Sequence, residues 1–329
     1  MHQNVNWGIL GASTFARNLM GPAIHAAKGA RLAALATSSL DKAKGFQAFA
    51  PDLSVHLDYE TMLADPAVDA VYIPLPNSLH VEWSLKALAA GKHVLTEKPV
   101  ALTAPEIDQL IAARDASGLH MAEAYMIVHH PQWQRVRDWL SAGEIGTLRH
   151  VDTAFSFDNR ADTANIRNRP ETGGGGIRDI GVYAYGSIRW ATGAEPTELS
   201  ARLKRENGID TWAQVVGQMA AARVEPFTFS AMTSMRLPRR QEVVFQGDRG
   251  LIRLTAPFNA NVFAEAQVHL HRVGMPELTE RFPGVDQYVL QVEAFGRTVR
   301  EGAPYAWTLE QARGTQEMID RVFAEAVEI

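Results

Sequence analysis

Short runs of strand-forming residues alternate with amphipathic segments over the first third of the chain. The candidate strands are residues 5–10, 31–37, 70–74, 92–96 and 121–126, and the helical segments between them are residues 15–28, 41–49, 78–90 and 104–117. Two parallel strands need a crossover connection, and a helix is the usual crossover. The alternation therefore predicts βαβ units around a parallel sheet, in the α/β fold class.

The pattern changes after about residue 123, where one more helix, at residues 131–142, precedes longer runs with a period of two. These runs predict strands at residues 149–158, 198–207, 213–221, 228–235, 241–246, 250–255 and 268–272. Gly247-Asp248-Arg249-Gly250 is typical of a hairpin turn between two of them. We expect a large, mostly antiparallel open sheet. Its uncovered face is expected to pack on a second copy, in a homodimer or homotetramer.

The chain length of 329 residues exceeds the roughly 250–300 at which a single hydrophobic core stops growing. Two domains are therefore predicted, at residues 1–122 and 123–329. Two helices are predicted to close the chain, at residues 287–301 and 308–327, and Thr308 and Gln311 have the spacing of a capping box at the start of the second. This last helix is expected to pack back on the first domain.

Composition excludes several classes of function. There are 32 basic and 37 acidic residues, a net charge of −5, which argues against a nucleic-acid partner. The absence of cysteine excludes a disulfide scaffold, a zinc–thiolate site, an iron–sulfur cluster and a cysteine nucleophile, and no metal site is predicted. No apolar stretch reaches the ~18 residues that cross a bilayer, and the N-terminus has no charged segment typical of a signal peptide. We expect a cytoplasmic protein with a small-molecule substrate.

The first candidate site directly follows the first strand and opens a helix. A dinucleotide-binding loop needs small residues for a tight turn, for close approach to the pyrophosphate and for helix–strand contact. Small residues at such a turn also serve packing alone, but the position at the start of a βαβ unit favours phosphate binding. The candidate cofactor residues of this loop are Gly11, Ser13, Thr14, Phe15 and Ala16.

The end of the second strand discriminates between the two nicotinamide cofactors. NAD sites usually place an acid there for the ribose 2′-hydroxyl, but this chain has Thr37-Ser38-Ser39, with Lys42 nearby. Hydroxyl groups and an ammonium accept a 2′-phosphate that a carboxylate would repel. Thr37, Ser38 and Lys42 therefore favour NADP, with NAD as the alternative. Capping of the next helix by Ser38 or Ser39 is compatible with this assignment.

Two further segments follow strands whose carboxyl ends meet at the same sheet edge, where α/β proteins bind ligands. Glu97-Lys98-Pro99 closes one strand, and its lysine can hold a substrate hydroxyl. Pro99 forces Lys98 into an extended conformation and allows a cis bond between them. His80 begins a helix, where a histidine is more often a cap or a phosphate contact than a catalyst. The candidate cofactor residues here are Leu75, Pro76, Asn77, His80, Glu97 and Lys98.

Three blocks resemble the Gfo/Idh/MocA oxidoreductases: GASTFA at residues 11–16, GKHVLTEKP at 91–99 and GGGGIRDIGVYA at 173–184. The resemblance covers nearly the whole chain, including residues 286–295. It implies an N-terminal Rossmann domain and a C-terminal α/β domain with an open sheet. It also implies NAD(P)-dependent hydride transfer between the nicotinamide and a hydroxyl or carbonyl carbon of a sugar, polyol or dihydrodiol.

The resemblance assigns catalytic roles to three residues. Tyr183 is implied to take the substrate hydroxyl proton, at the position where inositol-dehydrogenase relatives have histidine. Tyrosine there resembles the branch of glucose–fructose oxidoreductase, NADP-dependent xylose dehydrogenase and dimeric dihydrodiol dehydrogenase. An unperturbed tyrosine is a poor base at neutral pH, and the Lys98 ammonium is expected to favour its phenolate. Asp179 is expected to bind a neighbouring hydroxyl or to assist the proton relay.

Other positions are implied less directly. Arg167 matches an arginine that touches the cofactor in relatives. Tyr125 and His129 are candidate substrate residues. Val128 stands where many relatives have arginine, which weakens an assignment to ordinary aldoses. Two alternatives stay open: a non-catalytic NADP sensor on the same scaffold, and a keto-sugar reductase.

Overall fold

The structure is a computed structural model and describes residues 4–222 and 224–329. The chain divides into two compact units. One holds the chain up to His129 together with Asp286–Ala312, and the other holds His130–Val285 together with Arg313–Ile329. The predicted change of domain was between residues 122 and 123, and the last helix was expected to pack on the first domain. In the structure, residues from Arg313 onward group with the second unit.

The first unit contains a parallel sheet of six strands: β1 (Val5–Leu10), β2 (Ala30–Ala36), β3 (Ser54–His56), β4 (Ala70–Ile73), β5 (His93–Glu97) and β6 (Met121–Ala124). Their order is β3-β2-β1-β4-β5-β6, so the direction of the chain across the sheet reverses between β1 and β4. The crevice at the carboxyl ends beside such a reversal is the usual ligand site of an open α/β sheet. The predicted parallel sheet is confirmed. β3 was not predicted, because three residues are too few to show a period.

The second unit contains a sheet of nine strands: β7 (Leu148–Asp158), β8 (Glu195–Glu206), β9 (Ile209–Ala221), β10 (Val224–Ser234), β11 (Arg236–Gly247), β12 (Gly250–Leu254), β13 (Ala266–Arg272), β14 (Leu278–Phe282) and β15 (Val327–Glu328). Their order is β14-β13-β12-β11-β7-β10-β9-β8-β15. All neighbours are antiparallel except β7 with β10 and β8 with β15. The predicted mostly antiparallel sheet is confirmed, and so is the hairpin between β11 and β12.

The α-helices of the described residues are α1 (Gly21–Ala26), α2 (Leu40–Gln47), α3 (Tyr59–Leu63), α4 (His80–Ala89), α5 (Ala104–Ser117), α6 (Pro131–Ser141), α7 (Val182–Thr192), α8 (Gln287–Glu301) and α9 (Leu309–Glu325). Shorter helical turns are the π-turns Ala16–Met20 and Ile177–Gly181 and the 3₁₀ turns Asn77–Leu79, Met126–His129, Ile166–Asn168 and Pro170–Thr172. The capping box of α9 is confirmed. The Thr308 amide donates to Gln311 Oε1 at 3.0 Å, and the Gln311 amide donates to Thr308 Oγ1 at 3.4 Å.

Each unit has its own core. In the first, α8 brings Phe295 against Trp7 of β1, with ring centroids 4.8 Å apart. In the second, Trp133 of α6 contacts Phe245 of β11 edge to face. In the described part of the chain, no helix is long and apolar enough to span a membrane.

One face of the nine-stranded sheet carries exposed side chains. Along β9, Val215 is fully buried, whereas the next residue, Val216, is 41% exposed. The register brings Val216 next to Ser230 of β10, which pairs with Asp152 of β7. This alternation is the pattern of a sheet with one buried and one open face.

Candidate functional site

The loop after β1 has the geometry of a dinucleotide-binding turn. Gly11 takes a φ of +105°, and an added Cβ would lie 3.0 Å from Leu75 Cδ2. Its amide donates to the Ala36 carbonyl at 2.9 Å, which ties the loop to the end of β2. Ser13 Oγ accepts from the Ala16 amide at 3.0 Å and so caps the helical turn that follows. The turn needs the small residue that close approach of a pyrophosphate also needs.

The end of β2 carries the hydroxyl groups on which the cofactor assignment depends. Thr37 is buried, and its Oγ1 accepts from the Ser39 amide at 3.2 Å. Ser39 Oγ accepts from the Lys42 amide at 3.4 Å and caps α2. Ser38 and the Lys42 side chain are exposed at the same edge. Ser38 and Lys42 are therefore the candidates for contact with a ribose phosphate, and the first carboxylate after the strand is Asp41 in the first turn of α2.

His80 connects the two loops at the carboxyl ends of β4 and β5. It is fully buried, with Nδ1 2.8 Å from the Pro99 carbonyl oxygen and Nε2 2.8 Å from the Leu75 carbonyl oxygen. Burial lowers the pKa of His80 from its ordinary value, while both carbonyl oxygens favour the protonated ring. Both ring nitrogens are used by these backbone bonds. The His80 side chain therefore joins the Leu75 and Pro99 loops and does not cap α4, and its predicted contact with the cofactor stays a prediction.

The Glu97-Lys98-Pro99 segment lies at the end of β5, and its Lys98–Pro99 peptide bond is cis. The Glu97 carboxylate accepts from Tyr72 Oη at 2.6 Å and from the Lys98 amide at 3.2 Å. Glu97 thus joins β4 to β5 through side chains and fixes the backbone that carries Lys98. Glu97 and Lys98 were predicted site residues, whereas Tyr72 was not.

A buried acid stands behind this segment. Glu123 of β6 accepts from the Val100 amide at 2.9 Å through Oε1 and from Trp307 Nε1 at 2.8 Å through Oε2. Burial raises the pKa of Glu123, and the Lys98 charge opposes that increase. The analysis did not select Glu123 as a site residue. An acid within the apolar run of residues 121–128 was a signal for it, because a buried carboxylate needs partners.

The two candidate substrate residues lie in an aromatic cluster of the first unit. Tyr125 is fully buried and stacks on Trp307, with ring centroids 4.3 Å apart. His129 lies against Tyr305 at 5.0 Å, and burial lowers the pKa of His129 to about 3. A histidine with that pKa is neutral at physiological pH. Contact of either residue with substrate stays a prediction.

The glycine run of the second unit docks on the turn that carries Arg167. The Gly174 amide donates to the Arg169 carbonyl at 3.1 Å, and the Gly175 amide donates to the Arg167 carbonyl at 3.0 Å. An added Cβ on Gly174 would lie 2.6–2.8 Å from the carbonyl oxygens of Ile166, Arg167 and Arg169. Only glycine fits this close backbone contact.

The run leads into a π-turn over Ile177–Gly181 and then into α7. Turns of this type are frequent at functional sites. Asp179 lies in the π-turn, and its Oδ2 accepts from Arg167 Nε at 2.7 Å. The structure therefore pairs Arg167 with a candidate catalytic acid. Its predicted contact with the cofactor stays a prediction.

Tyr183 is in the first turn of α7 and is 5% exposed. Its ring centroid lies 5.9 Å from that of Phe155 and 5.8 Å from that of Phe258, and these two phenylalanines stack at 5.1 Å. The aromatic contacts hold the phenol ring in one orientation. No spacing in the sequence connects Phe155 with Phe258, so neither was predicted as a neighbour of Tyr183.

The described residues contain no group of three or more histidine or acidic side chains able to hold a metal ion. The acidic side chains described above are instead paired with arginine, as Asp179 is with Arg167, or accept hydrogen bonds, as Glu97 and Glu123 do. The first unit fits a nicotinamide dinucleotide on two observations, the glycine turn after β1 and the hydroxyl-rich end of β2.

Comparison with known proteins gives the same assignment for both halves of the chain. Residues 5–125 match the oxidoreductase family with an NAD-binding Rossmann fold, and residues 133–253 match the GFO/IDH/MocA C-terminal domain.

Among curated proteins, the chain is similar to dTDP-3,4-didehydro-2,6-dideoxy-alpha-D-glucose 3-reductase of Saccharopolyspora spinosa. The identity is 34% over 92% of this chain and 90% of the relative. It is also 32% identical to D-xylose 1-dehydrogenase (NADP(+)) 2 of Haloferax volcanii, over 97% of both chains. Among solved structures, a 3-ketoreductase from Actinomadura kijaniata in complex with NADP and TDP-benzene superposes with a TM-score of 0.89 at 28% identity, covering 99% of both chains. The chain therefore belongs to the Gfo/Idh/MocA family and is an NAD(P)-dependent oxidoreductase.

Proposed function

We propose that this protein is an NADP-dependent reductase of a keto-sugar, with Lys98, Asp179 and Tyr183 as its chemical groups. The observation that carries the proposal is the arrangement at the start of α7. There the Arg167–Asp179 pair lies one helical turn before a tyrosine that packs against the stacked rings of Phe155 and Phe258. The similarity to two sugar 3-ketoreductases supports reduction as the direction.

When bound, the nicotinamide supplies or accepts the hydride at the reacting carbon. In the direction of reduction, the Tyr183 hydroxyl donates its proton to the substrate oxygen, and the side chain becomes a phenolate. The Lys98 ammonium favours that phenolate and orients the substrate oxygen, as the family resemblance implies. Asp179, held by Arg167, accepts a hydrogen bond from a neighbouring sugar hydroxyl. General acid–base catalysis of this kind contributes roughly 10²–10⁴-fold to the rate.

Oxidation of an aldose is the second candidate, favoured by the similarity to a xylose 1-dehydrogenase over 97% of this chain. Both candidates use the same groups, because hydride transfer is reversible. A sensor without catalysis is not supported, since the named relatives are oxidoreductases and this chain retains Lys98 and Tyr183.

A spectrophotometric screen tests the proposal. Purified protein is supplied with NADPH and either free or dTDP-linked 3-keto-sugars, and in parallel with NADP⁺ and aldoses such as xylose. We expect NADPH oxidation with a keto-sugar at a higher kcat/KM than for any aldose oxidation. Faster turnover of aldoses would favour the second candidate. Tight NADP binding without turnover of any substrate would favour a non-catalytic NADP sensor.

The preference for NADP is expected to depend on the exposed end of β2. In Ser38→Asp, a carboxylate replaces the hydroxyl next to the bound 2′-phosphate. Two like charges about 4 Å apart repel each other by ~1 kcal/mol in bulk water and by ~4 kcal/mol near a protein surface. We expect KM for NADP to rise at least about fivefold and KM for NAD to change little. Ser38→Ala is the control, and an equal rise in both variants would remove the electrostatic explanation.

The open face of the nine-stranded sheet supports a homo-oligomer. Its exposed positions include Val216 at 41%, and a stable interface buries about 1,200–2,000 Å² in total. A homodimer or homotetramer through this face would have two or four times the 36.2 kDa of one chain. Sedimentation equilibrium measures this directly, and a single 36.2 kDa species at micromolar concentration would contradict it. The cytoplasmic location stays a prediction from the sequence.

A further inference from the structure

A buried carboxylate of the nine-stranded sheet contacts the start of the helix that carries the candidate catalytic residues. Asp210 is the second residue of β9 and is 2% exposed. Its Oδ2 accepts from the Ile177 amide at 2.6 Å. Ile177 is the first residue of the π-turn, two residues before Asp179 and six before Tyr183. The bond joins residues that are 33 positions apart in the sequence.

The glycine run is shaped around this carboxylate. Gly175 takes a φ of +117°, and an added Cβ there would overlap Asp210 Oδ1. An added Cβ on Gly176 would lie 3.4 Å from Asp210 Oδ2. The Gly175 carbonyl in turn accepts from the Asp179 amide at 3.2 Å. The same loop thus contacts the Asp210 carboxylate and the backbone of the acid that pairs with Arg167.

The surroundings make this carboxylate unusual. Two positive groups face it, Arg178 from the π-turn and Arg205 from β8, its cross-strand neighbour. Tyr185 of α7 also faces it, and both burial and the Asp210 charge raise the pKa of Tyr185. Burial raises the pKa of Asp210 itself to about 6, against the lowering effect of the Ile177 amide. A carboxylate that only stabilised the fold would be less costly on the surface.

We infer that Asp210 is a positioning residue for the reaction: its carboxylate sets the start of the π-turn and so the placement of Asp179 and Tyr183. This inference rests on the proposed function, because it assigns the chemistry to those two residues. Asp210 touches neither substrate nor cofactor in this role and acts through the backbone of Ile177. A misplacement of about 1 Å at reacting groups can cost 10²-fold in rate.

Two variants of the full-length protein test the inference. Asp210→Ala removes the acceptor, and we expect kcat for the best substrate of the screen to fall at least about tenfold. KM for NADPH should stay within about twofold, because the candidate cofactor residues other than Arg167 belong to the other unit. Asp210→Asn keeps an oxygen acceptor for the Ile177 amide and should recover most of kcat at pH 7 to 8.

The pH profile separates positioning from a purely structural role. In the wild type, protonation of Asp210 weakens a charge-assisted bond, so kcat should decline as the pH falls through about 6. Asp210→Asn cannot titrate and should lack this decline. If Asp210→Ala fails to fold, Asp210→Asn is still expected to fold, so the pH profile can still be measured.

Three results would overturn the inference: wild-type kcat in a folded Asp210→Ala, equal losses of kcat in both variants, or a decline near pH 6 that persists in Asp210→Asn. Failure of the proposed function is distinguishable. It would show as absence of turnover by the wild type with every substrate of the screen.

Discussion

Tyr183→Phe is expected to lower kcat by at least about 10², the lower end of the range for general acid–base catalysis. The substitution removes only the hydroxyl, and the phenyl ring keeps its contacts with Phe155 and Phe258. The protein should therefore fold normally. NADPH binding, followed by nicotinamide fluorescence, should be unchanged, because Tyr183 is not a candidate dinucleotide residue and all of those except Arg167 belong to the first unit. Steady-state kinetics with the best substrate from the screen gives the decisive number.

Tyr305→Phe is the matched control for this experiment. Tyr305 is also a buried tyrosine, but it packs on His120 and Phe295 in the first unit, whereas α7 belongs to the second unit. Its loss of a hydroxyl should leave kcat within about threefold of the wild type. If Tyr183→Phe also stays within threefold, the tyrosine is not the proton donor, and the chemistry passes to another group.

Gly174→Ala is expected to lower the stability of the protein by a measurable amount. The new Cβ would lie 2.6–2.8 Å from three backbone carbonyl oxygens, which cannot move aside as a flexible side chain can. Overpacking of this kind costs about 1–3 kcal/mol or more. For a domain of this size, each kcal/mol lowers Tm by roughly 2–4 °C. Thermal unfolding should therefore show a loss of several degrees.

The same variant should also lose activity, because the displaced turn holds the Arg167 that pairs with Asp179. Gly176→Ala is the control for stability. Gly176 has an ordinary φ of −71°, and its added Cβ would meet its nearest neighbour at 3.4 Å, an ordinary contact. Its Tm should change by less than half as much. Equal losses of Tm in the two variants would show that the run tolerates no side chain at either position. The close carbonyl contacts of Gly174 would then not be the cause.

Local patterns determined a large part of this protein from its sequence. β1 begins and ends where the apolar run does, and the Gly11 turn follows it as predicted. The Thr308–Gln311 capping box and the hairpin between β11 and β12 are also as predicted. Each of these features depends on residues a few positions apart, so conformational preference and periodicity are enough to find it.

Tertiary structure decided the partners of the buried polar groups. Glu123 meets Trp307 across 184 residues, and Tyr72 meets Glu97 across 25. Asp210 reaches Ile177 only because the turn packs against the start of β9. Sequence alone located Asp179 and Tyr183 one helical turn apart, but not the Arg167 bond to Asp179 or the phenylalanines around Tyr183. The physical reason is that hydrogen bonds and ring contacts between distant residues depend on strand order and register, which no local pattern encodes.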